Sequence, residues 1–369
     1  ANPRQPSPTL ANPRLLAAMQ LTLVVPELVW PEPDDRHALD ALHCPGLNTL
    51  IARSRLRRRP PQSLEATLGD AFGLAGNVPY AAFRVLGEAD APSASEGCWL
   101  CADPVHLRLH QERLILADGG SLGIALAEAR EIVAELNRQF ADVGRFHVAT
   151  ADRWYLKLAA ETDLGHFDVL PLSAVAGRRV GSQLPETPQA RGLRQLLNEV
   201  QMVLHGQPAN ERREAAGQPT INSLWLWGAG ALPAAHKANF DGVWASLPLA
   251  RGLGRASGLV VQQPPENAAV LLARAAAGSR QLLLLDALQE AVQYEDADAY
   301  RAGLHELEAR WFAPLQKALA GGAIARLQLH ASTAYATLAW ESGRGEQWQL
   351  WRRPRPLAAT AQALARGER

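Results

Sequence analysis

The sequence predicts an α/β protein whose core is a doubly wound, mostly parallel sheet interrupted by an inserted α+β lobe. From Ile221 to Leu329, short apolar strands alternate with helices, a pattern typical of a parallel sheet covered on both faces. Between residues 95 and 205 the order changes to strand pairs around one helix. The chain has 369 residues, 47% of them apolar and 20% charged, which is enough for a large core and excludes wholesale disorder.

The first core segment is predicted to hold one strand and several short helices. The apolar, β-branched run Leu21–Val25 ends at a proline and predicts a buried strand. Apolar residues spaced through 36–56 predict two short helices separated by a Pro-Gly break. The arginine cluster Arg53–Arg59 predicts a solvated helix end, and the helical pattern resumes over 63–72.

The lobe and the second core segment follow from the same periodicities. In the lobe we predict strands over 99–109, 113–116, 145–149 and 154–158 and helices over 122–140 and 191–204. A polar return loop over 206–220 follows the lobe. In the second core segment we predict strands over 221–227, 258–262, 281–285 and 326–329, helices over 266–277 and 297–319, and a final strand pair over 334–340 and 347–351.

These patterns divide the chain into four parts. We expect a disordered leader over residues 1–18, an inserted lobe over 95–205 and a C-terminal tail over 353–369. The remaining segments, 19–94 and 206–352, form the predicted core.

Composition excludes several classes of partner. The 37 basic and 37 acidic residues cancel, so no overall field selects nucleic acid or an anionic membrane. No apolar run approaches the roughly 20 residues that cross a bilayer, and the N-terminal residues lack the apolar stretch of a signal peptide. Three cysteines are too few for a disulfide framework. We therefore predict a cytoplasmic protein with no membrane contact, and nucleic acid is not favoured.

Two motifs have both a chemical and a structural interpretation. Cys98 and Cys101 have the spacing of a zinc or redox pair, and His43-Cys44 would complete four ligands, but the residues between them are large and apolar. Burial as small hydrophobic side chains is the favoured alternative. The cluster Arg53–Arg59 lacks interleaved aromatic residues, which favours a solvated surface over a nucleic-acid site.

Gly228-Ala-Gly230 follows a predicted strand but lacks the third glycine of a dinucleotide fingerprint and the lysine of a P-loop. We interpret it as a tight turn at the carboxyl edge of the sheet, where α/β proteins usually bind ligands. Trp225 and Trp227 project from one face of that strand, either into the core or into a pocket wall. The chain has no H-E-x-x-H motif.

Short motifs in the second half of the chain follow a known order. The strand Asn222–Gly230 precedes Leu249–Gly258, which contains Gly-Leu-Gly-Arg, then Asp286 after a strand and Leu304–Glu308 on a helix. That order resembles the archaeal type of cofactor-independent phosphoglycerate mutase, in the alkaline phosphatase superfamily. In the first half, Pro45–Leu50 is similar to the family's Pro-Asn-Leu-Asp-x-Leu.

Two further short sequence motifs make the resemblance more specific. Trp99–Leu107 is similar to the opening of the family's inserted lobe, and Trp225–Gly228 to a bacterial offshoot described as phosphoglycerate mutases or RpfE-like regulatory proteins. The resemblance implies an alkaline-phosphatase-like doubly wound core. It also implies two divalent metals, held by Asp and His side chains, that activate a Ser or Thr nucleophile.

The sequence departs from the family at the positions that matter for metals. The first strand ends in Pro26-Glu27 instead of Asp-Gly, and Ser63 is followed by leucine instead of aspartate. Asp286 fits the family's strand-end aspartate, and His330 stands where the family has Asp-His. Three retained ligands are too few for a two-metal site.

We therefore predict a catalytically degenerate phosphoglycerate-mutase-like protein, a pseudoenzyme that acts by binding and has a regulatory role. It would use no cofactor and no metal, and its partner would be another protein or a small anionic metabolite. The alternative is a metal-dependent phosphoglycerate mutase or phosphatase with two Mn or Zn ions and Ser63 as nucleophile. The predicted ligand pocket contains Glu27, Asn222, Trp227, Asp286 and His330.

Overall fold

Two β-sheets organise the chain in the computed structural model, which describes residues 18–89, 96–110, 113–165, 167–177, 179–180, 187–234 and 236–367. The strands are β1 (Met19–Val24), β2 (Arg55–Arg59), β3 (Trp99–His110), β4 (Arg113–Asp118), β5 (Gly144–Thr150), β6 (Arg153–Leu158), β7 (Arg179–Val180), β8 (Ser223–Gly230), β9 (Gly242–Trp244), β10 (Val260–Gln262), β11 (Arg280–Leu284), β12 (Ile324–Ser332) and β13 (Thr337–Gly343).

The helices cover the faces of these sheets. They are α1 (Arg36–Leu39), α2 (Pro45–Ala52), α3 (Leu64–Phe72), α4 (Tyr80–Gly87), α5 (Gly119–Leu122), α6 (Leu126–Gln139), α7 (Leu172–Val175), α8 (Arg191–His205), α9 (Pro208–Ala215), α10 (Pro248–Ala256), α11 (Ala268–Arg274), α12 (Gln289–Gln293), α13 (Ala297–Leu307), α14 (Ala313–Gly321), α15 (Arg344–Gln347) and α16 (Leu357–Ala365). A 3-10 turn, Pro188–Ala190, precedes α8, and a π-helical segment, Glu308–Phe312, joins α13 to α14. Among the helices of the described ranges, none is long and apolar enough to cross a bilayer.

The first sheet has seven strands in the order β10-β9-β11-β1-β12-β13-β2. The first five run parallel, and β13 and β2 are antiparallel to their neighbours. Leu21 and Leu23 of β1 pack into the core on one face, and Val24 packs into a second apolar cluster on the other. Burial on both faces is what a central parallel strand requires. The predicted α/β class, with a mostly parallel sheet, is confirmed.

The second sheet is antiparallel and follows β5-β6-β3-β4-β7, with β8 paired to β3 as well. Its own apolar cluster includes Ile132 and Leu136 of α6 and Leu196 and Val200 of α8. The inserted lobe predicted from the sequence therefore has a sheet of its own.

Helix α4 connects the two layers because it packs closely against α10. A Cβ atom on Gly87 would lie 1.7 Å from the Pro248 carbonyl oxygen, and one on Gly252 would lie 1.7 Å from the Phe83 carbonyl oxygen. Only glycine allows the two backbones to approach this closely. Gly252 begins the Gly-Leu-Gly-Arg string, so this part of the family motif has a packing role here.

Four local expectations differ from the structure. The arginine cluster forms strand β2 because it pairs with β13, and the predicted polar loop 206–220 contains α9. The expected last strand, 347–351, is replaced by α15 and turns. Strand β8, expected in the parallel sheet, instead pairs with β3, so Gly228 and Gly230 lie within a strand of the second sheet. Alternating apolar residues indicate a strand but not its partner.

The structure describes only part of the two ends of the chain. The expected leader, residues 1–18, lies outside the described residues except for Ala18, and so do residues 90–95. The expected tail, 353–369, contains α16, whose Leu357 and Leu364 are buried in the core cluster. The domain boundaries stay predictions.

Candidate functional site

A cleft of about 600 Å³ lies at the carboxyl ends of β1 and β12. Its opposite wall is the segment 167–174, which includes the start of α7. The Trp225 indole of β8 donates a hydrogen bond of 2.9 Å to the Leu170 carbonyl, so the second sheet holds this wall in place. The cleft therefore lies between the parallel sheet and the lobe, at the edge where α/β proteins usually bind ligands.

Glu27 lies at the floor of the cleft, directly after β1. Its backbone is in the left-handed region, with φ of 54°, which is uncommon for a residue other than glycine. The Glu27 amide donates to the Ser332 carbonyl at 2.9 Å, which ties the ends of β1 and β12 together. A backbone strained in this way costs of order 1–3 kcal/mol and persists where the surrounding structure enforces it.

Ser63 contributes a hydroxyl to the same cleft because it is the N-cap of α3. Its Oγ accepts a hydrogen bond of 3.1 Å from the Ala66 amide, as N-cap serines do. The helix predicted over 63–72 is confirmed as α3. Across the cleft, Ser173 of α7 donates to both carboxylate oxygens of Glu65, at 2.9 and 2.8 Å. Burial raises the pKa of Glu65, and the hydrogen bond from Ser173 opposes that shift.

The described lining of the cleft contains acidic side chains and no basic ones. Among the lining residues that the structure describes, Glu27 and Asp168 are the only charged side chains, and no Arg, Lys or His is present. Burial, followed by the fields of nearby carboxylates, raises the pKa of Tyr80 to about 12, so its phenol stays neutral at physiological pH. The other polar lining groups are hydroxyls and amides, from Gln62, Ser63, Asn77, Ser173, Gln289, Ser332 and Thr333.

A second cavity, of about 250 Å³, adjoins the cleft at Leu64, Ser173 and Gln289. It is lined by a buried ion pair between Arg84 of α4 and Asp103 of β3. Arg84 Nη1 lies 2.9 and 2.7 Å from the two Asp103 oxygens, and the Asp103 side chain is fully buried.

Aromatic side chains complete the surroundings of this ion pair. The Trp227 indole donates to Asp103 at 2.9 Å. The Arg84 guanidinium lies over the rings of Tyr155 and Trp227, at 5.4 and 5.6 Å from their centroids. Burial alone would lower the pKa of Arg84, but Asp103 raises it well above its ordinary value. Burial raises the pKa of Asp103, and the charge of Arg84 opposes that shift.

Of the predicted site residues, Glu27 and Ser63 are among the described residues that line the cleft. Trp227 lines the second cavity through its contact with Asp103. Asn222 accepts from the Leu107 amide at 2.7 Å and donates to the Leu107 carbonyl at 2.9 Å, which joins the start of β8 to β3.

Asp286 and His330 are also apart from the described lining of the cleft. Asp286 follows β11 and accepts a hydrogen bond of 3.1 Å from Ser246. Burial lowers the pKa of His330, Arg59 lowers it further, and Asp70 opposes the shift. The assignment of these residues to one ligand pocket stays a prediction.

Sequence reasoning missed the ion pair and the Ser173–Glu65 contact. One signal was available for Asp103, because an aspartate inside an otherwise apolar strand must be paired if it is buried. The partners Arg84 and Ser173 have no such signal, since they are distant in sequence and meet only through packing.

Cys44 lies in a different part of the structure from Cys101. Cys44 is the N-cap residue of α2 and lies in the core cluster of the first sheet, whereas Cys101 lies in the cluster of the second. Both are buried free thiols, and burial raises the pKa of Cys44 to about 12 and that of Cys101 further. Thiols held protonated in this way act as apolar packing groups.

The comparisons with known proteins concern sequence and fold. No family model matches the chain. It is 27% identical over 243 residues to a Geobacter sulfurreducens protein named "Probable 2,3-bisphosphoglycerate-independent phosphoglycerate mutase", covering 60% of the chain and 59% of that protein. It is also 27% identical over 243 residues to "2,3-bisphosphoglycerate-independent phosphoglycerate mutase 2" of Methanothermobacter thermautotrophicus, covering 62% and 59%. The chain thus matches about three fifths of the length of these relatives.

The fold has a counterpart among solved structures. The structure of the PH0037 protein from Pyrococcus horikoshii superposes with a TM-score of 0.54 at 15% identity, covering 89% of this chain and 88% of that one. At this identity the likeness concerns the fold alone, and it agrees with the predicted doubly wound core with an inserted lobe.

The cofactor prediction is wrong in both of its forms. The alternative placed two Mn or Zn ions on Glu27, Asp286 and His330. Within the described part of the chain, however, no three His, Cys, Asp or Glu side chains are grouped so as to hold a metal ion. The first form, no cofactor, is overturned because the relatives are phosphoglycerate mutases of a family that is metal-dependent in general. By sequence, the chain is a relative of the cofactor-independent phosphoglycerate mutases, as its motifs predicted.

Proposed function

We propose that this phosphoglycerate-mutase-like chain is catalytically degenerate and acts by binding a small polar ligand, neutral or cationic, in the cleft between the parallel sheet and the lobe. The observation that carries the proposal is the charge of the cleft. Glu27 and Asp168 face it, and no cationic side chain is among its described lining residues.

The substrates of a phosphoglycerate mutase fit such a cleft poorly. Phosphoglycerates carry a phosphate and a carboxylate, which proteins bind with Arg, Lys or clustered backbone amides. Two carboxylates in a partly enclosed cleft repel such an anion, because the low local dielectric strengthens like-charge interactions. The anionic metabolite predicted from the sequence is therefore not the ligand that we propose.

The described residues that line the cleft also include no side chain of the kind that most often activates a serine. A serine nucleophile needs an adjacent base or a bound cation to remove or stabilise its proton. No His or Lys stands among the described residues around the cleft, and the Ser63 oxygen already accepts the N-cap hydrogen bond. A protein that binds a ligand without converting it to product acts only through its contacts with that ligand and with partners. Action through contacts alone supports the regulatory role predicted from the sequence.

The test is an enolase-coupled assay of the full chain with 3-phosphoglycerate, run with and without added Mn²⁺ and Zn²⁺. We expect no formation of 2-phosphoglycerate above the blank. Isothermal titration with 3-phosphoglycerate should show no saturable binding. Turnover by the wild-type chain that is lost in Ser63→Ala would contradict the proposal, and Thr49→Ala, a second helix hydroxyl outside the described cleft lining, is the matched control.

The second candidate is an active phosphoglycerate mutase or phosphatase. Two observations favour it: the names of the relatives, and the position of Ser63 and Glu27 in one cleft. The same assay decides between the candidates.

A further inference from the structure

Three of the most exposed large apolar side chains among the described residues lie in one short segment, 348–351. Trp348, Leu350 and Trp351 are 62, 67 and 76% exposed. Exposed tryptophans next to each other are unusual on a protein surface and mark interaction sites.

The fold places this segment beside the arginine strand β2. Arg53 donates to the Gln347 carbonyl at 2.7 Å, and Arg352 donates to the Ser54 carbonyl at 3.2 Å. The segment is anchored by Gln347, which is buried and donates to Ser342 Oγ at 2.8 Å. The aromatic residues that the sequence of the arginine cluster lacks are therefore supplied by a segment almost 300 positions away.

The combined surface, which we name the Arg–Trp surface, is strongly basic. Every residue of β2 is exposed, and Arg353 and Arg355 of the neighbouring segment are exposed as well. Glu346, Glu341 and Asp70 form ion pairs with Arg55, Arg57 and Arg59 of this surface. Its arginines are Arg53, Arg55, Arg57, Arg58, Arg59, Arg344, Arg352, Arg353 and Arg355.

We propose that the Arg–Trp surface binds single-stranded nucleic acid. Guanidinium groups bind phosphates in bidentate geometry, and exposed tryptophan rings stack on unpaired bases. The balanced charge of the whole chain does not oppose this, because salt screens distant charges within about 10 Å at 0.1 M ionic strength.

Other occupants fit the surface less well. A second copy of the chain would bring arginines against arginines, and arginines on an edge strand oppose such pairing. A membrane would favour an amphipathic helix with one wide apolar face, whereas the tryptophans lie in turns after α15. Arginines that merely protect an edge strand would not require two exposed tryptophans beside them.

The test measures fluorescence anisotropy of labelled oligo(dT) and oligo(U) 20-mers with the full chain at 50–300 mM salt. We expect saturable binding that weakens steeply with salt, and quenching of tryptophan fluorescence on binding. Trp348→Ala/Trp351→Ala should weaken binding about tenfold or more, since each stacked base contributes strongly to affinity. Met202→Ala, which removes a side chain that is 70% exposed elsewhere, should leave binding unchanged.

A second variant tests the contribution of the arginine charges to binding separately from the stacking of bases on the tryptophans. Arg353→Ala/Arg355→Ala should reduce the slope of log affinity against log salt by about 0.7 per lost phosphate contact. Arg36→Ala/Arg138→Ala, two exposed arginines elsewhere, is the control. Circular dichroism of each variant verifies folding.

Three results would overturn the proposal. The first is the absence of saturable oligonucleotide binding at 50 mM salt. The second is binding that neither double variant of the surface weakens. The third is binding to phosphatidylserine vesicles without binding to the oligonucleotides, which would assign the surface to a membrane.

Discussion

Glu27 is held in a backbone conformation that glycine adopts more easily. Its φ of 54° lies in the left-handed region, which glycine enters without a Cβ clash. The Glu27 amide donates to the Ser332 carbonyl at 2.9 Å, so the ends of β1 and β12 hold the residue in this conformation.

The strain at this position predicts a difference between two variants that both lack the carboxylate. Glu27→Gly should be more stable than Glu27→Ala by about 1 kcal/mol, because only glycine enters the left-handed region without a Cβ clash. Urea unfolding of the two variants measures the difference. An alanine variant as stable as the glycine variant would show that the backbone there is relaxed.

His330 predicts a dependence of stability on pH. Burial first, and then Arg59, lower its pKa from 6.5, so the unfolded chain binds a proton at a higher pH than the folded chain does. The free energy of unfolding should therefore fall as the pH drops below 6.5.

In His330→Gln, the decrease in the free energy of unfolding between pH 7 and pH 5.5 should be smaller than in the wild-type chain. His147, whose pKa is lowered by burial and then by Arg145 and Lys157, contributes in the same direction. The double variant His330→Gln/His147→Gln should then show the flattest profile. Urea midpoints across this pH range measure the effect, and profiles identical to wild type would refute the assignment.

At the scale of elements, a helix end is capped from far along the chain. Pro45 begins α2, and the amides of Gly46 and Leu47 donate to the carboxylate of Glu308 at 2.7 and 3.0 Å. Glu308 belongs to the π-helical segment that interrupts the long helix predicted over 297–319. The interruption and the cap occur at the same residue, as is common for functional or structural π-bulges.

Removing this cap should destabilise the protein. Glu308→Ala leaves two buried amides without an acceptor, which we expect to cost about 2–4 kcal/mol. Glu308→Gln keeps one acceptor and should cost less. The control is Glu306→Ala, whose exposed carboxylate pairs with Arg310 and whose loss should cost under about 1 kcal/mol. Equal urea midpoints for the alanine variants at 306 and 308 would contradict this account.

At the scale of the whole molecule, the two sheets are joined through α4. Its Gly87 packs against α10 beside the parallel sheet, and its Arg84 pairs with Asp103 in the second sheet. Glu88 continues the connection, since Arg153 and Tyr155 donate to it at 2.9 and 2.7 Å. The cleft lies between the layers that these contacts hold together.

Breaking the central ion pair should therefore destabilise the whole fold. Arg84→Ala leaves the Asp103 charge buried without its cation, at a cost of about 3–5 kcal/mol. Arg36→Ala removes the exposed pair with Asp40 and should change stability by less than about 1 kcal/mol. Thermal unfolding of the two variants provides the comparison. A small effect of Arg84→Ala would mean that the aspartate becomes neutral or hydrated without cost.

The sequence by itself determined the fold class, most of the strands and the helix that follows Ser63. These follow from local causes: the period of apolar residues, proline and glycine breaks, and capping side chains. The relationship to phosphoglycerate mutases was also visible in short motifs. Some elements were missed where local preference was weak, as in α9, or where pairing overrode it, as in β2.

Only the tertiary structure decided which distant residues meet. It placed β8 in the second sheet, paired Arg84 with Asp103, and brought Glu27 and Ser63 into the lining of one cleft. It also brought tryptophans beside an arginine strand. The physical reason is that periodicity reports that a face is buried, whereas its partner depends on packing and charge between segments far apart in the chain.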